Sequence, residues 1–82
     1  MIDWEDGPRE LVAQLRFRDF AEAFSFVQTI AELAEEEQHH PNLDWRYNRL
    51  KITLSTHDLG GIVGPKDRLL AARIDSAYAE FT

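Results

Sequence analysis

All three histidines of this 82-residue chain lie between positions 39 and 57, as His39, His40 and His57. Imidazole is the side chain whose unperturbed pKa, about 6.5, lets it both give and take a proton near neutrality, so three together suit acid/base chemistry. Their neighbours are polar: Glu35 stands four positions before His39, and Ser55, Thr56 and Asp58 surround His57. All three sit at ends of predicted elements, where sites are commonly built. Taken singly, each has a plainer explanation. A histidine at a helix end caps carbonyls and meets the negative end of the dipole, adjacent residues project in different directions, and the run Glu35 to Glu37 reads as a solvated face. Only the combination points to a site. Three histidines and a carboxylate have the donors for zinc, but metal-binding pairs on a helix are usually spaced i, i+4, and an adjacent pair is a poor clamp, so no metal is expected. The chain has no cysteine, no G-x-S-x-G elbow, no P-loop and no G-x-G-x-x-G, and Gly60-Gly61 reads as a turn.

The elements that must carry these residues follow from apolar periodicity. From Arg9 to Phe17 the residues Leu11, Ala13, Leu15 and Phe17 alternate with polar ones, Val12 excepted, which predicts a strand with one buried face. Asp6-Gly7-Pro8 is a turn signal, with Asp3 to Glu5 as a possible short partner strand. At Asp19 the period becomes helical, and Asp19 with Glu22 has capping-box spacing. Phe20, Phe24, Val27, Ala31 and Ala34 form an apolar stripe flanked by Ala23, Phe26, Ile30 and Leu33, and all these aromatics are expected in the core. No glycine ends this helix, and Glu35, Glu36 and Glu37 oppose its dipole without a local reason. Leu43 to Tyr47, a turn at Asn48, and Leu50 to Thr56 predict a hairpin, with His57 off the core side if the strand reaches it. Pro65 opens a last helix with Leu70, Ile74, Ala77 and Phe81 as its stripe, widened by Leu69 and Tyr78, while Lys66, Arg68, Arg73, Asp75 and Glu80 face water. The order predicts one α+β domain over residues 1–82: a two-layer arrangement of three or four antiparallel strands with two helices on one face.

Composition bounds the partners. Fifteen acids against nine scattered bases give a formal charge of -6, which argues against direct nucleic-acid binding. No apolar run approaches a membrane span and the first residues are acidic, so a cytoplasmic location is expected. A core this small, with open sheet edges, predicts a homodimer or homotetramer.

Glu35-x-x-x-His39-His40-Pro41, Tyr47-Asn48, Leu54-Ser55-Thr56-His57-Asp58-x-Gly60-Gly61, and Asp67 with Leu70-Ala71-Ala72-x-Ile74 together resemble the pterin-4a-carbinolamine dehydratases. Phe17-x-Asp19-Phe20-x-x-Ala23-x-x-Phe26 and Trp4 extend the likeness over nearly the whole chain. The resemblance implies a hydro-lyase that removes water from a 4a-hydroxy-tetrahydropterin to give the quinonoid dihydropterin, in tetrahydrobiopterin recycling, without metal or cofactor. It implies that His39, His40 and His57 are catalytic, assisted by Glu35, and that Gln38, His39, His40, Pro41, Ser55, Thr56, His57 and Asp58 hold the pterin. It also implies a second possibility, a non-catalytic module of the same fold that binds a protein as dimerisation cofactor or assembly factor. Three departures from the family pattern stand out. Against the pattern the resemblance implies, the family's opening helix is not expected here, Gln38 stands where some members carry an acid, and one more residue than expected, within Ile62 to Pro65, leaves Asp67 between a site role and a helix cap.

Overall fold

The computed structural model describes residues 2–81. It contains strands β1 (Glu5–Asp6), β2 (Leu11–Arg16), β3 (Asn42–Arg46) and β4 (Arg49–Leu54), and helices α1 (Phe20–Glu37) and α2 (Pro65–Phe81), with a single 3-10 turn at His57–Leu59. The strands form one antiparallel sheet in the order β1-β2-β4-β3, and both helices lie against one of its faces. The architecture is the expected α+β two-layer domain.

Alternation decides which face is covered. Leu11, Ala13 and Leu15 of β2 pair with Leu54, Ile52 and Leu50 of β4, and all six are buried. Val12, which broke the alternation, projects from the opposite face beside Thr53 and is only half-buried. Ala23, Phe26 and Ile30 of α1 and Leu70, Ala71 and Ile74 of α2 close the core over this row. Phe26 is its centre: its ring centroid lies 5.5 Å from Phe17, 5.5 Å from Tyr78 and 5.3 Å from Phe81, in tilted and edge-on contacts. Such aromatic pairs contribute about 0.5–1.5 kcal/mol each beyond area burial.

Several boundaries and faces differ from the sequence expectation. β1 is Glu5–Asp6 rather than Asp3 to Glu5, and the turn that follows is closed by Gly7 N–H donating to Glu10 O at 3.1 Å. β4 stops at Leu54, because Thr56 leaves the ladder to bridge Ile62. The face of α1 is rotated: Phe20 and Phe24 are 52% and 45% exposed, and they stack on Trp45 of β3 at 4.6 and 5.7 Å instead of entering the core. Ala23, Phe26, Ile30 and Ala34 are the buried stripe, since a helix over a short sheet can cover it with only one narrow row. Leu69 likewise faces solvent, and Ala71 takes its place inside.

The hairpin turns through Tyr47 and Asn48, with Tyr47 at φ 52°, the positive φ that a two-residue connection demands. Asn48 Nδ2 donates to Phe17 O at 2.9 Å and Phe17 N–H donates to Asn48 O at 2.8 Å, which locks the turn to the end of β2. At the start of α1, Asp19 Oδ1 accepts from Glu22 N–H at 2.9 Å, while the Glu22 carboxylate accepts from Arg18 N–H, one residue earlier than the usual reciprocal bond. Asp19→Ala is expected to destabilise the fold by about 1 kcal/mol, a fall in Tm of about 4–8 °C for a domain of this size. Thermal unfolding followed by circular dichroism checks it, and an unchanged Tm would show that the cap is dispensable.

Candidate functional site

The end of α1 is where the first two histidines are aimed. Gln38 closes the helix in the left-handed region, φ 52° and ψ 41°, a conformation that costs a non-glycine residue about 1–2 kcal/mol. His39 N–H then wraps back to Ala34 O at 3.1 Å, and Gln38 Nε2 donates to Glu35 O at 2.7 Å. This tight closure turns the chain so that the rings of His39 and His40 diverge. His39 is drawn inward, its side chain 12% exposed, and His40 stays at the surface. The acidic last turn also has its reason here, and it is tertiary. Arg73 of α2 reaches across to Glu37 at 2.6 Å and Glu36 at 2.8 Å, and Glu35 accepts from His40.

The second segment follows β4. Thr56 N–H donates to Ile62 O at 2.9 Å and Gly61 N–H to Thr56 O at 3.1 Å, so residues 56–62 form a small closed loop with the 3-10 turn inside it. Gly60 and Gly61, at φ 80° and 74°, make the return possible.

Asp67 joins the two segments. It is fully buried, with no exposed surface. Its Oδ2 accepts from Thr56 Oγ1 at 2.6 Å and from Gly64 N–H at 2.8 Å, and its Oδ1 meets His39 Nε2 at 2.5 Å. Burial works against the charge on this carboxyl, but the hydrogen bonds from Thr56, Gly64 and His39 together outweigh it and hold the group below the usual carboxylate range. An ionised carboxylate only accepts, so His39 carries its proton on Nε2, and in the neutral ring Nδ1 is left with a lone pair. The carboxylate also caps the first turn of α2, completing from N3 the bond to the N-cap residue. The helix-cap role left open for Asp67 is thus filled, and the same side chain also meets His39. Gly64 sits close beneath: a Cβ there would stand 2.7 Å from Leu59 Cδ1 and 3.2 Å from Thr56 Oγ1.

Gln38, His39, His40, Ser55, Thr56, His57 and Asp58 line one open hollow of about 230 Å³. It is smaller than the roughly 300–1,000 Å³ of drug-sized pockets. Glu35 lies outside this lining and touches it through the exposed pair Glu35 Oε2 to His40 Nε2, 2.5 Å apart. Pro41 is not on the lining; it leads from the cap into β3. The ring of His57 makes no hydrogen bond among the described residues, and it is exposed. No group of three histidine, aspartate or glutamate side chains among the described residues is placed to hold a metal ion.

The family model for pterin 4 alpha carbinolamine dehydratase matches residues 2–77. The chain belongs to that family. A relative from Chloroflexus aurantiacus, named "Putative pterin-4-alpha-carbinolamine dehydratase", is 47% identical over 73 residues, covering 89% of this chain and 77% of its own. One from Gloeobacter violaceus, named "Putative pterin-4-alpha-carbinolamine dehydratase 2", is 42% identical over 78 residues, covering 90% and 84%. Among solved structures, a transcriptional coactivator/pterin dehydratase from Brucella melitensis superimposes with a TM-score of 0.81 at 32% identity, over 89% of this chain and 79% of that one. A pterin dehydratase-like protein identified as a RuBisCO assembly factor in the alpha-carboxysome gives 0.72 at 29% identity, over 92% and 86%. No helix among the described residues is long and apolar enough to cross a membrane.

The linkage of Asp67 to folding has a definite sign. Its folded pKa lies below the unfolded value of about 3.9, so its contribution is fully present above that pH and is lost as pH falls through the folded pKa. Asp67→Asn is therefore expected to be less stable than the wild type at neutral pH, with the gap narrowing below about pH 4. Urea unfolding at a series of pH values measures it, and a gap that is constant or widens on acidification would contradict the assignment.

Proposed function

We propose that the chain is a 4a-hydroxytetrahydropterin dehydratase whose hollow between the end of α1 and the 56–62 loop is the catalytic site. The observation that carries this reading is the convergence of His39, His40 and His57, from two separate segments, on one hollow in a member of this family. In the elimination, a base takes the proton from the ring nitrogen next to C4a. The electron pair closes a C=N bond as the C4a–O bond breaks, and an acid protonates the departing hydroxyl to release water. The product is the quinonoid dihydropterin, and no electrons are gained or lost overall. Acid and base must be distinct groups, each contributing roughly 10²- to 10⁴-fold. His39, with its Nε2 proton held by Asp67, offers Nδ1 as acceptor. His57 has a ring free to follow the leaving group, and His40 with Glu35 stands at the rim. Backbone groups and the polar side chains of Gln38, Ser55, Thr56 and Asp58 suit the amide-like edge of a pterin. Asp67 acts through His39 and is a positioning residue. The cellular setting that fits this chemistry is tetrahydrobiopterin recycling in the cytoplasm.

A second reading rests on a different surface. Phe20, Phe24, Trp45 and Tyr47 form a stacked aromatic patch beside β3, the long outer strand of the sheet. We assign this patch and edge to a second copy of the chain, because pairing β3 across a two-fold axis would satisfy its free backbone groups and cover the rings together. A non-catalytic role as assembly factor, by analogy with the RuBisCO-associated relative, would instead use the patch for a different protein.

Loss of 4a-hydroxytetrahydropterin followed by stopped-flow absorbance decides between enzyme and binding module. Wild type is expected to accelerate dehydration over the spontaneous rate, with His39→Ala and His57→Ala each lowering kcat by about 10²-fold or more. Equal rates in both variants would refute the catalytic assignment. For the patch, sedimentation equilibrium is expected to give an oligomer for wild type and a monomer for Phe24→Glu. A monomeric wild type would remove the second-copy assignment.

A further inference from the structure

On the sheet face turned away from both helices, the strand register sets three arginines in a row. Arg16 of β2 stands opposite Arg49 of β4, which stands opposite Arg46 of β3. The next row on the same face is Gln14, Lys51 and Asp44. All six are exposed, and they line an open hollow of about 390 Å³. Like charges directly opposite on neighbouring strands, only about 4.8 Å apart, destabilise a sheet. Yet a chain with fifteen acids and nine bases gathers four cations here against one carboxylate. Asp44 Oδ1 accepts from Arg46 Nε at 3.2 Å, whereas Arg16, Arg49 and Lys51 have no ion pair among the described residues. The backbone that carries the row is fixed by the ladder, since Arg46 and Arg49 flank the two-residue turn of the hairpin and Arg16 ends β2 beside it.

We propose that this row is a second ligand site that takes a compact phosphate-bearing small molecule, a mono- or diphosphate. Guanidinium groups present paired N–H donors that match phosphate oxygens, and three of the four cations are arginine. A bound dianion would screen the repulsion along the row, which Asp44 relieves only at Arg46. Within one chain the row spans two strand spacings, about 10 Å, which suits a compact ligand, and the formal charge of -6 disfavours a long polyanion. The hollow has the volume of a small-molecule site. It lies about six residues along β4 from Ser55, roughly 20 Å, so both hollows can be filled at once and this site stands apart from the histidine chemistry.

The test uses the intact chain with inorganic phosphate and pyrophosphate, against sodium chloride at matched ionic strength, by thermal shift and isothermal titration calorimetry. Pyrophosphate is expected to raise Tm saturably and more than phosphate. Arg49→Gln and Arg16→Gln are each expected to raise Tm without ligand, to lower pyrophosphate affinity by about tenfold or more, and to abolish the ligand-induced shift, while Arg9→Gln, outside the row, keeps it. An equal shift in chloride, a shift retained in both row variants, or tighter binding of a polyglutamate peptide or a single-stranded oligonucleotide than of pyrophosphate would overturn the proposal.

Discussion

A single buried carboxylate holds the arrangement together. Asp67 accepts from the hydroxyl of Thr56, the backbone of Gly64 and the ring of His39, and so ties the exit of β4, the entry of α2 and the end of α1 at one point. Each of these segments is polar and irregular, and none could be buried without a partner for its donors. A lone ionised carboxylate in the core would be strongly unfavourable, and three unmatched donors would be as well; together they satisfy each other. The positions of both histidine-bearing segments follow from this mutual requirement.

The same logic extends across the two helices. The run Glu35 to Glu37 opposes the dipole of α1. His40, five residues on, pairs with Glu35, and Arg73 of α2 supplies the compensation for Glu36 and Glu37 from elsewhere in the fold, so docking of α2 stabilises the acidic turn. Helix packing, helix capping and the geometry of the hollow are therefore one cooperative unit rather than separate devices.

Much of this was legible in the sequence, and the reasons are local. Period-2 alternation at Leu11, Ala13 and Leu15 and at Leu50, Ile52 and Leu54 specifies the sheet and its inner face, because a slip of one residue would expose all six. The capping spacing at Asp19 and the proline at 65 mark helix starts. What local pattern does not carry is rotation: the helical period admits Phe20 and Phe24 to the same stripe as Val27, and only the presence of Trp45 on a distant strand moves them outward. The residues of the hollow could be grouped from motif order, and the structure gathers all but Pro41 and Glu35 on its lining. Asp67 could not be placed, since an acid at N3 of a helix has the same spacing whether or not it also meets an imidazole. The arginine row is invisible along the chain because Arg16, Arg46 and Arg49 become neighbours only through strand register.

Gly64 gives the arrangement an uneven sensitivity to sequence drift. The tip of Leu59 could swing aside from a methyl group at this position, but the Thr56 oxygen could retreat only by releasing the carboxylate it serves. A position in a loop, with no polar side chain and no contact with the open hollow, would then behave in a variant library as though it belonged to the proton-transfer apparatus. Tolerance at 64 is set by the room a hydroxyl needs, and a survey of permitted residues there would map the tightness of the carboxylate's cage.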